Sequence, residues 1–329
     1  MVQAKRISLM LTVIALTGAL LAACGKEANN KAVEVAPASE VVEATASPEP
    51  KKEESATKMY KDWSGHEVAI PTNPKRVIFH GEVTGDLLAL GVTPVGNNKS
   101  TGTVYDDLLA STEDVGFPIS MEKSLALQPD LIIFSNSDAA IYEKLIKIAP
   151  TVTYDSFALL DDRMKALGEI LGKQEEAKTW LQSYHEDRDA MWAELRKNVI
   201  KENETATVFT MYPGNRLFVM AGAGLPQFLY EEGGFKPVDQ VKKLIEEGTG
   251  FLEISTESIA DYAGDRIFIL NPVDAGAAGE SDTLMKSDIV SSIPAVKNNY
   301  MYKFDILKAS GDALSRRWML EELPKALNK

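Results

Sequence analysis

The side chains able to do chemistry are few and far apart. The chain has one cysteine, Cys24, and three histidines, His66, His80 and His185. Two glutamates occupy similar settings, Ser120-Met121-Glu122 and Ser255-Thr256-Glu257, each opening a short helix that leads toward a strand. Paired carboxylates can hydrolyse glycosides when they face one another within about 5 to 10 Å across a cleft. A transition-metal site wants several His, Asp or Glu groups converging in a fixed geometry. His66 lies near the start of the folded region and His185 in a long helical stretch, so a three-histidine cluster is not expected, and His80 with Glu82 falls short of a site. The sequence has no G-x-S-x-G nucleophile elbow, no H-E-x-x-H motif and no complete phosphate loop. A non-enzymatic protein is expected, with no cofactor and no metal ligands of its own, and a secreted hydrolase is the weaker alternative.

Cys24 is explained by its flanks. Lys5 and Arg6 precede an almost unbroken apolar run, Leu9 to Ala23, which has the form of an export signal and is short for a membrane span. A lone thiol forms no intrachain disulfide, and a reactive thiolate needs a structured electropositive site. The stretch LLAAC, Leu20 to Cys24, followed by Gly25, resembles the lipobox of bacterial lipoproteins. The resemblance implies a signal peptide over residues 1–23 and lipidation of Cys24, giving a membrane contact through the lipid anchor only. The expected location is the outer face of the cytoplasmic membrane of a Gram-positive bacterium.

Residues 24–64 are rich in Ala, Glu, Lys, Pro and Ser with no regular apolar face, and read as a flexible tether. Its six lysines against eight acidic residues are offset by Lys5 and Arg6, so the whole net charge of −13 lies in residues 65–329. An acidic domain of this kind disfavours nucleic acid as a partner.

The remaining residues alternate strand and helix patterns in two blocks. In the first, RVIFH (Arg76 to His80) and LIIFS (Leu131 to Ser135) read as buried strands, Asp138 can cap a helix, and TVTYD begins a further strand. In the second, TATVFTMY and RLFVMA flank Pro213-Gly214-Asn215 as a hairpin, and RIFIL and MYKFD precede a terminal helix from about Asp312. Between them, Gln174 to Lys201 lacks Pro and Gly and repeats Trp180, Leu181, Tyr184, Met191, Trp192 and Leu195 at helical spacing. At 1.5 Å per residue this helix is roughly 40 Å long, enough to join two lobes and restrict their closure. The expected architecture is α/β: a lobe over 65–165, a connecting segment over 166–202 with the long helix, a second lobe over 203–329, and largely parallel sheets flanking a ligand cleft.

NPKRVIFHGEVTGDLLALGVTPVG (Asn73 to Gly96), MEKSLALQPDLII (Met121 to Ile133), LGEILGKQEEAKTW (Leu167 to Trp180) and ISTESIADYAGDRIFIL (Ile254 to Leu270) resemble the helical-backbone class of bacterial ABC-transporter substrate-binding proteins. The resemblance covers about Asp62 to Leu327 and implies a carrier, expected as a monomer, that delivers a ferric siderophore to an ABC permease dimer with a cytoplasmic ATPase. It also implies that Glu122 and Glu257 meet arginines on the two permease subunits. An acidic residue in a first helical turn is favourable for the helix dipole alone.

Ligands in α/β lobes gather at the carboxyl ends of strands. That rule selects His80, Glu82, Asn98, Lys99 and Asn136 in the first lobe, and Tyr212, Arg216, Asn271 and Lys308 in the second. Phe304 and Trp318 are aromatic candidates for the cup, and Arg216, Lys99 and Lys308 the leading cations. Three scattered cations are a thin basis for a highly anionic catecholate chelate. ADYAGDRIFIL and the block from Tyr300 resemble hydroxamate-binding members. Met220 to Gly234, MAGAGLPQFLYEEGG, lacks the Trp and Arg that those relatives often carry there. The cargo expected is a ferric hydroxamate; haem, which would use His80 or Tyr212, cobalamin and a catecholate are the alternatives.

Overall fold

The computed structural model describes residues 56–328. The expected signal peptide, Cys24 and most of the expected tether lie outside the described residues. The described residues begin with a hairpin of β1 (Thr57–Lys61) and β2 (Glu67–Pro71), paired antiparallel. Residues 57–64, expected in the tether, thus belong to the folded unit, a correction with a polar cause. Asp62 is buried and accepts hydrogen bonds from the backbone N–H groups of His66 and Thr153, while the His66 ring stacks on Tyr142 at 4.1 Å. A hairpin stitched down by one carboxylate leaves little trace in a hydrophobic pattern.

The first lobe contains β3 (Val77–His80), α1 (Thr84–Ala89), β4 (Gly96–Asn97), β5 (Glu113–Asp114), α2 (Met121–Ala126), β6 (Leu131–Phe134), α3 (Ala139–Leu145), β7 (Thr151–Thr153) and α4 (Leu160–Leu171). Its sheet runs β5-β4-β3-β6-β7, all parallel. Val77 to His80 and Leu131 to Phe134 are buried throughout, as strands covered on both faces must be. Asp138 caps α3 as expected, accepting from the N–H groups of Ala140 and Ile141. The boundary expected at 165/166 falls inside α4, whose end is set by Gly172 in the left-handed region (φ +69°).

The second lobe contains β8 (Thr205–Tyr212), β9 (Arg216–Met220), α6 (Leu225–Leu229), β10 (Lys236–Pro237), α7 (Asp239–Glu246), β11 (Phe251–Ile254), β12 (Arg266–Asn271), α8 (Ala275–Met285), α9 (Asp288–Ser291), α10 (Pro294–Lys297), β13 (Met301–Asp305) and α11 (Ala313–Leu327). Its sheet runs β11-β9-β8-β12-β13, with β10 beside the start of β8. The β8–β9 hairpin turns on Gly214 and Asn215, both at positive φ, as the Pro-Gly-Asn signal predicts.

Helix α5 (Gln174–Asn198) joins the lobes. Its first half buries Ala177, Leu181 and Tyr184 in the core of the first lobe, and its second half buries Trp192 and Leu195 in the core of the second. Truncating Trp192, which is 1% exposed, is a change worth about 3–5 kcal/mol in a packed core. A second crossing element was not foreseen. Helix α11 puts Ala313 into the first core and Met319, Leu323 and Leu327 into the second, so two helices rather than one span the lobes.

Candidate functional site

The carboxyl ends of both sheets converge on one cavity of about 430 Å³. From the first lobe come Gly81 and Glu82 after β3, Asn97 and Asn98 at β4, and Ser156 and Phe157 after β7. From the second come Tyr212 at the end of β8, Phe251, Leu270, and the loop Ile306 to Gly311 after β13. The volume lies in the range of ligand pockets, about 300–1,000 Å³.

Below the cavity a buried polar network ties the lobes together. Arg163 of α4, 1% exposed, donates through Nε to Asp86 Oδ2 of α1 at 2.7 Å. Its remaining nitrogens donate to the carbonyls of Ser156, Ala158 and Gly311 and to Gln227 Oε1 of α6. Asp86 Oδ1 accepts from the Ala313 N–H at 2.6 Å, at the start of α11. Arg316 of α11 donates to the same Gln227 oxygen at 2.9 Å, to Gly311 O at 2.9 Å, and pairs with Glu231. Tyr184 of α5 donates to Glu231 as well. Burial holds the Glu231 carboxyl above its ordinary value, opposed by Arg316 and the Tyr184 hydroxyl. Asp312 caps α11 through the Ser315 N–H; burial first, and then the Asp86 charge, push it up to about 6. Gly85 packs its Cα against Asp312, where a Cβ would collide with that carboxylate.

Two residues lining the cavity carry formal charge, Glu82 and Arg163. Arg163 is consumed by the floor. Glu82 is exposed and accepts a hydrogen bond from Ser156 Oγ at 3.1 Å. The rest of the lining is neutral, with Asn97, Asn98, Ser156, Gln227 and Ser310 as polar groups and Phe157, Tyr212 and Phe251 as exposed aromatics.

Of the expected ligand contacts, Glu82, Asn98 and Tyr212 line the cavity. Arg216 does not; it is exposed on the far strand of the hairpin, pairs with Glu253 at 2.6 Å, and lines a surface groove with Glu257 and Glu280. Lys99 and Lys308 stand exposed beside the lining residues Asn98 and Leu307, with their charges felt by Asp114 and Asp106. Asn136 is exposed and its Oδ1 accepts from the Asp138 N–H; Asn271 is the exposed last residue of β12. His80 is 5% exposed, bonded through Nε2 to Gly116 O and stacked on Phe117, and burial lowers its pKa. Phe304 belongs to the second core, and Trp318 packs edge-on against it at 6.3 Å. None of these is among the cavity-lining residues, because a strand-end rule locates a loop and not the direction of its side chains.

The floor was missed, although its signal is present. In LDDRMKALGEIL, Arg163 shares the apolar face of Leu160, Met164, Leu167 and Leu171, and a charge on such a face must find a buried partner. Arg316 occupies the same kind of position between Ala313 and Met319.

Glu122 and Glu257 are both exposed. Glu122 sits in the first turn of α2, which Ser120 caps by accepting from the Lys123 N–H. The loop before α2 holds Gly116, whose carbonyl meets His80 at the carboxyl end of β3. Glu257 follows β11, which is antiparallel to β9 and therefore runs with β8. Each glutamate thus lies on the carboxyl-end side of its own sheet, the side that opens onto the cavity. They belong to different lobes and neither lines the cavity.

This architecture, two α/β lobes joined by a long helix around one polar cavity, is that of a binding protein. The periplasmic binding protein family matches residues 77–305, and the chain belongs to that family. It is 30% identical over 321 residues to the Iron(3+)-hydroxamate-binding protein FhuD of Bacillus subtilis, covering 94% of each chain. It is 29% identical to the Iron(3+)-hydroxamate-binding protein YxeB of the same organism, over 76% of this chain and 78% of that one. The crystal structure of Staphylococcus aureus SirA complexed with staphyloferrin B superposes with a TM-score of 0.73 at 26% identity, covering 83% of this chain and 99% of that one. No helix of the described residues is long and apolar enough to cross a membrane.

Proposed function

We propose that this chain is the extracytoplasmic binding component of an ABC importer and that its cargo is a ferric siderophore of the hydroxamate class. One observation carries the choice of cargo: apart from the Glu82 carboxylate the cavity between the lobes is walled by neutral polar and apolar groups with aromatic edges, and it has no uncommitted cation among its described lining residues. A ferric trihydroxamate has a neutral iron core and asks for hydrogen bonds and apolar contact. A tris-catecholate core is highly anionic and asks for several convergent cations. The names of the two Bacillus subtilis relatives support the same cargo. The chelate fills the iron's coordination sphere, so the protein supplies a cup and no metal ligands; two stiff crossing helices suit closure by a small tilt.

In this reading residues 1–23 direct export and Cys24 carries the lipid. The chain up to Thr57 tethers the carrier to the outer face of the membrane, as a monomer. Glu122 and Glu257, one per lobe beside the cleft, meet the two permease subunits. The experiment is a titration of the mature chain with an iron-loaded trihydroxamate and with its iron-free form, followed by tryptophan fluorescence and calorimetry. Saturable binding of the ferric form, with the iron-free form much weaker, is expected. Absence of binding by both methods would refute the cargo.

A further inference from the structure

Two of the polar residues that the first lobe presents to the cavity, Glu82 and Asn97, hold acceptor oxygens short of donors. Glu82 is the only exposed charged side chain among the described lining residues, and its one side-chain partner is the Ser156 hydroxyl. Asn97, 2% exposed and also lining the cavity, has an Oδ1 with no hydrogen-bond donor among the described residues. Its amide nitrogen reaches Thr84 Oγ1 at 3.5 Å. Arg163, the nearest available neutraliser by chemistry, is fully engaged by Asp86 and four oxygen acceptors beyond it. Cargo that covers Glu82 without answering its charge leaves a desolvated carboxylate, which is costly.

We infer that Glu82 makes the cleft selective for chelates that carry a cationic donor, such as a linear ferric trihydroxamate ending in a primary ammonium. This inference deepens the proposed function and rests on it. The ammonium places its N–H donors on the Glu82 carboxylate, and the iron core stays with the neutral walls and aromatic edges. Neutral and anionic chelates are disfavoured by the same carboxylate, so selection works by penalty as much as by attraction.

The test compares two ligands sharing one iron core: a ferric trihydroxamate with a free terminal ammonium, and the same compound acetylated on that nitrogen. The mature chain should bind the ammonium form about five- to tenfold more tightly, the value expected of one charge-assisted hydrogen bond in a partly screened site. The preference should disappear in Glu82→Gln, through loss of affinity for the ammonium form together with a gain for the acetylated form. It should also shrink in high salt, because a carboxylate at a cleft wall is open to screening. Equal affinity of the wild-type chain for both ligands overturns the inference. So does a preference that survives in Glu82→Gln or is indifferent to salt. Either result leaves the hydroxamate reading standing, whereas failure of both ligands to bind the wild-type chain removes that reading and the inference with it.

Discussion

The floor and the walls of the cleft use charge in opposite ways. The floor gathers Asp86, Arg163, Glu231 and Arg316 into one buried network in which each arginine has a carboxylate partner and further oxygen acceptors. The walls present Asn98, Ser156, Tyr212 and Phe251, with one carboxylate, Glu82, that has no cationic partner among the described residues. Arg163, the cation among the described lining residues, and Arg316 behind it are structural. They fix α1, α4, α6 and α11 against one another across the lobe boundary and are not free to hold an anionic ligand.

Perturbing the rim alone sharpens the contrast most. Reversing both Glu122 and Glu257 to lysine should abolish uptake by cells while cargo affinity changes by less than about twofold, since exposed charges fix docking register and encounter. Full uptake by the double variant would sink the docking assignment. The next effect in size is at the floor. Arg163→Ala leaves Asp86 buried without its guanidinium and should cost about 3–5 kcal/mol in urea unfolding. Stability unchanged by that substitution would mean that the network does not hold the lobes.

A smaller effect is expected in the pH dependence of stability. Asp312 has a folded-state pKa of about 6, above the ordinary carboxylate value, because burial and Asp86 disfavour its charge. Above that pKa the ionised group is a penalty to the folded state. As pH falls through 6 toward 4 the folded state takes up the proton first, so the penalty, about 3 kcal/mol at most, is relieved. Asp62, Asp106, Asp114 and Asp265, held below their ordinary values chiefly by hydrogen bonds set against burial, work in the opposite direction at lower pH. The contribution of Asp312 is therefore the difference between wild type and Asp312→Asn across pH 4 to 7. The wild type should gain stability relative to the variant as the pH falls, and a constant offset would show that Asp312 does not titrate there.

Much of the fold was legible because its strands are short, centred on apolar runs and bounded by turn residues, as at VIFH, LIIF and RIFIL. The long helix was legible because Trp180, Leu181, Tyr184, Trp192 and Leu195 keep helical spacing without an interrupting Gly or Pro. The β1–β2 hairpin was not, because its place is secured by Asp62 and a His66–Tyr142 stack between residues distant in sequence. Strand ends pointed to loops that border the cavity, and of the residues they select Glu82, Asn98 and Tyr212 line it. They misdirected at Arg216, since a residue one strand across a tight hairpin points to another surface and finds Glu253. Gln227 lies within the short helix α6 and Gly311 in the loop before α11, and no strand rule reaches those.

The preference for a neutral ferric core turns on the described lining of the cleft, which offers no uncommitted cation. The most direct measurement is calorimetric titration of the mature chain with a ferric trihydroxamate and a ferric tris-catecholate at the same ionic strength. The account predicts that the trihydroxamate binds at least about tenfold more tightly, a difference of about 1.4 kcal/mol. Equal or tighter binding of the tris-catecholate would contradict it.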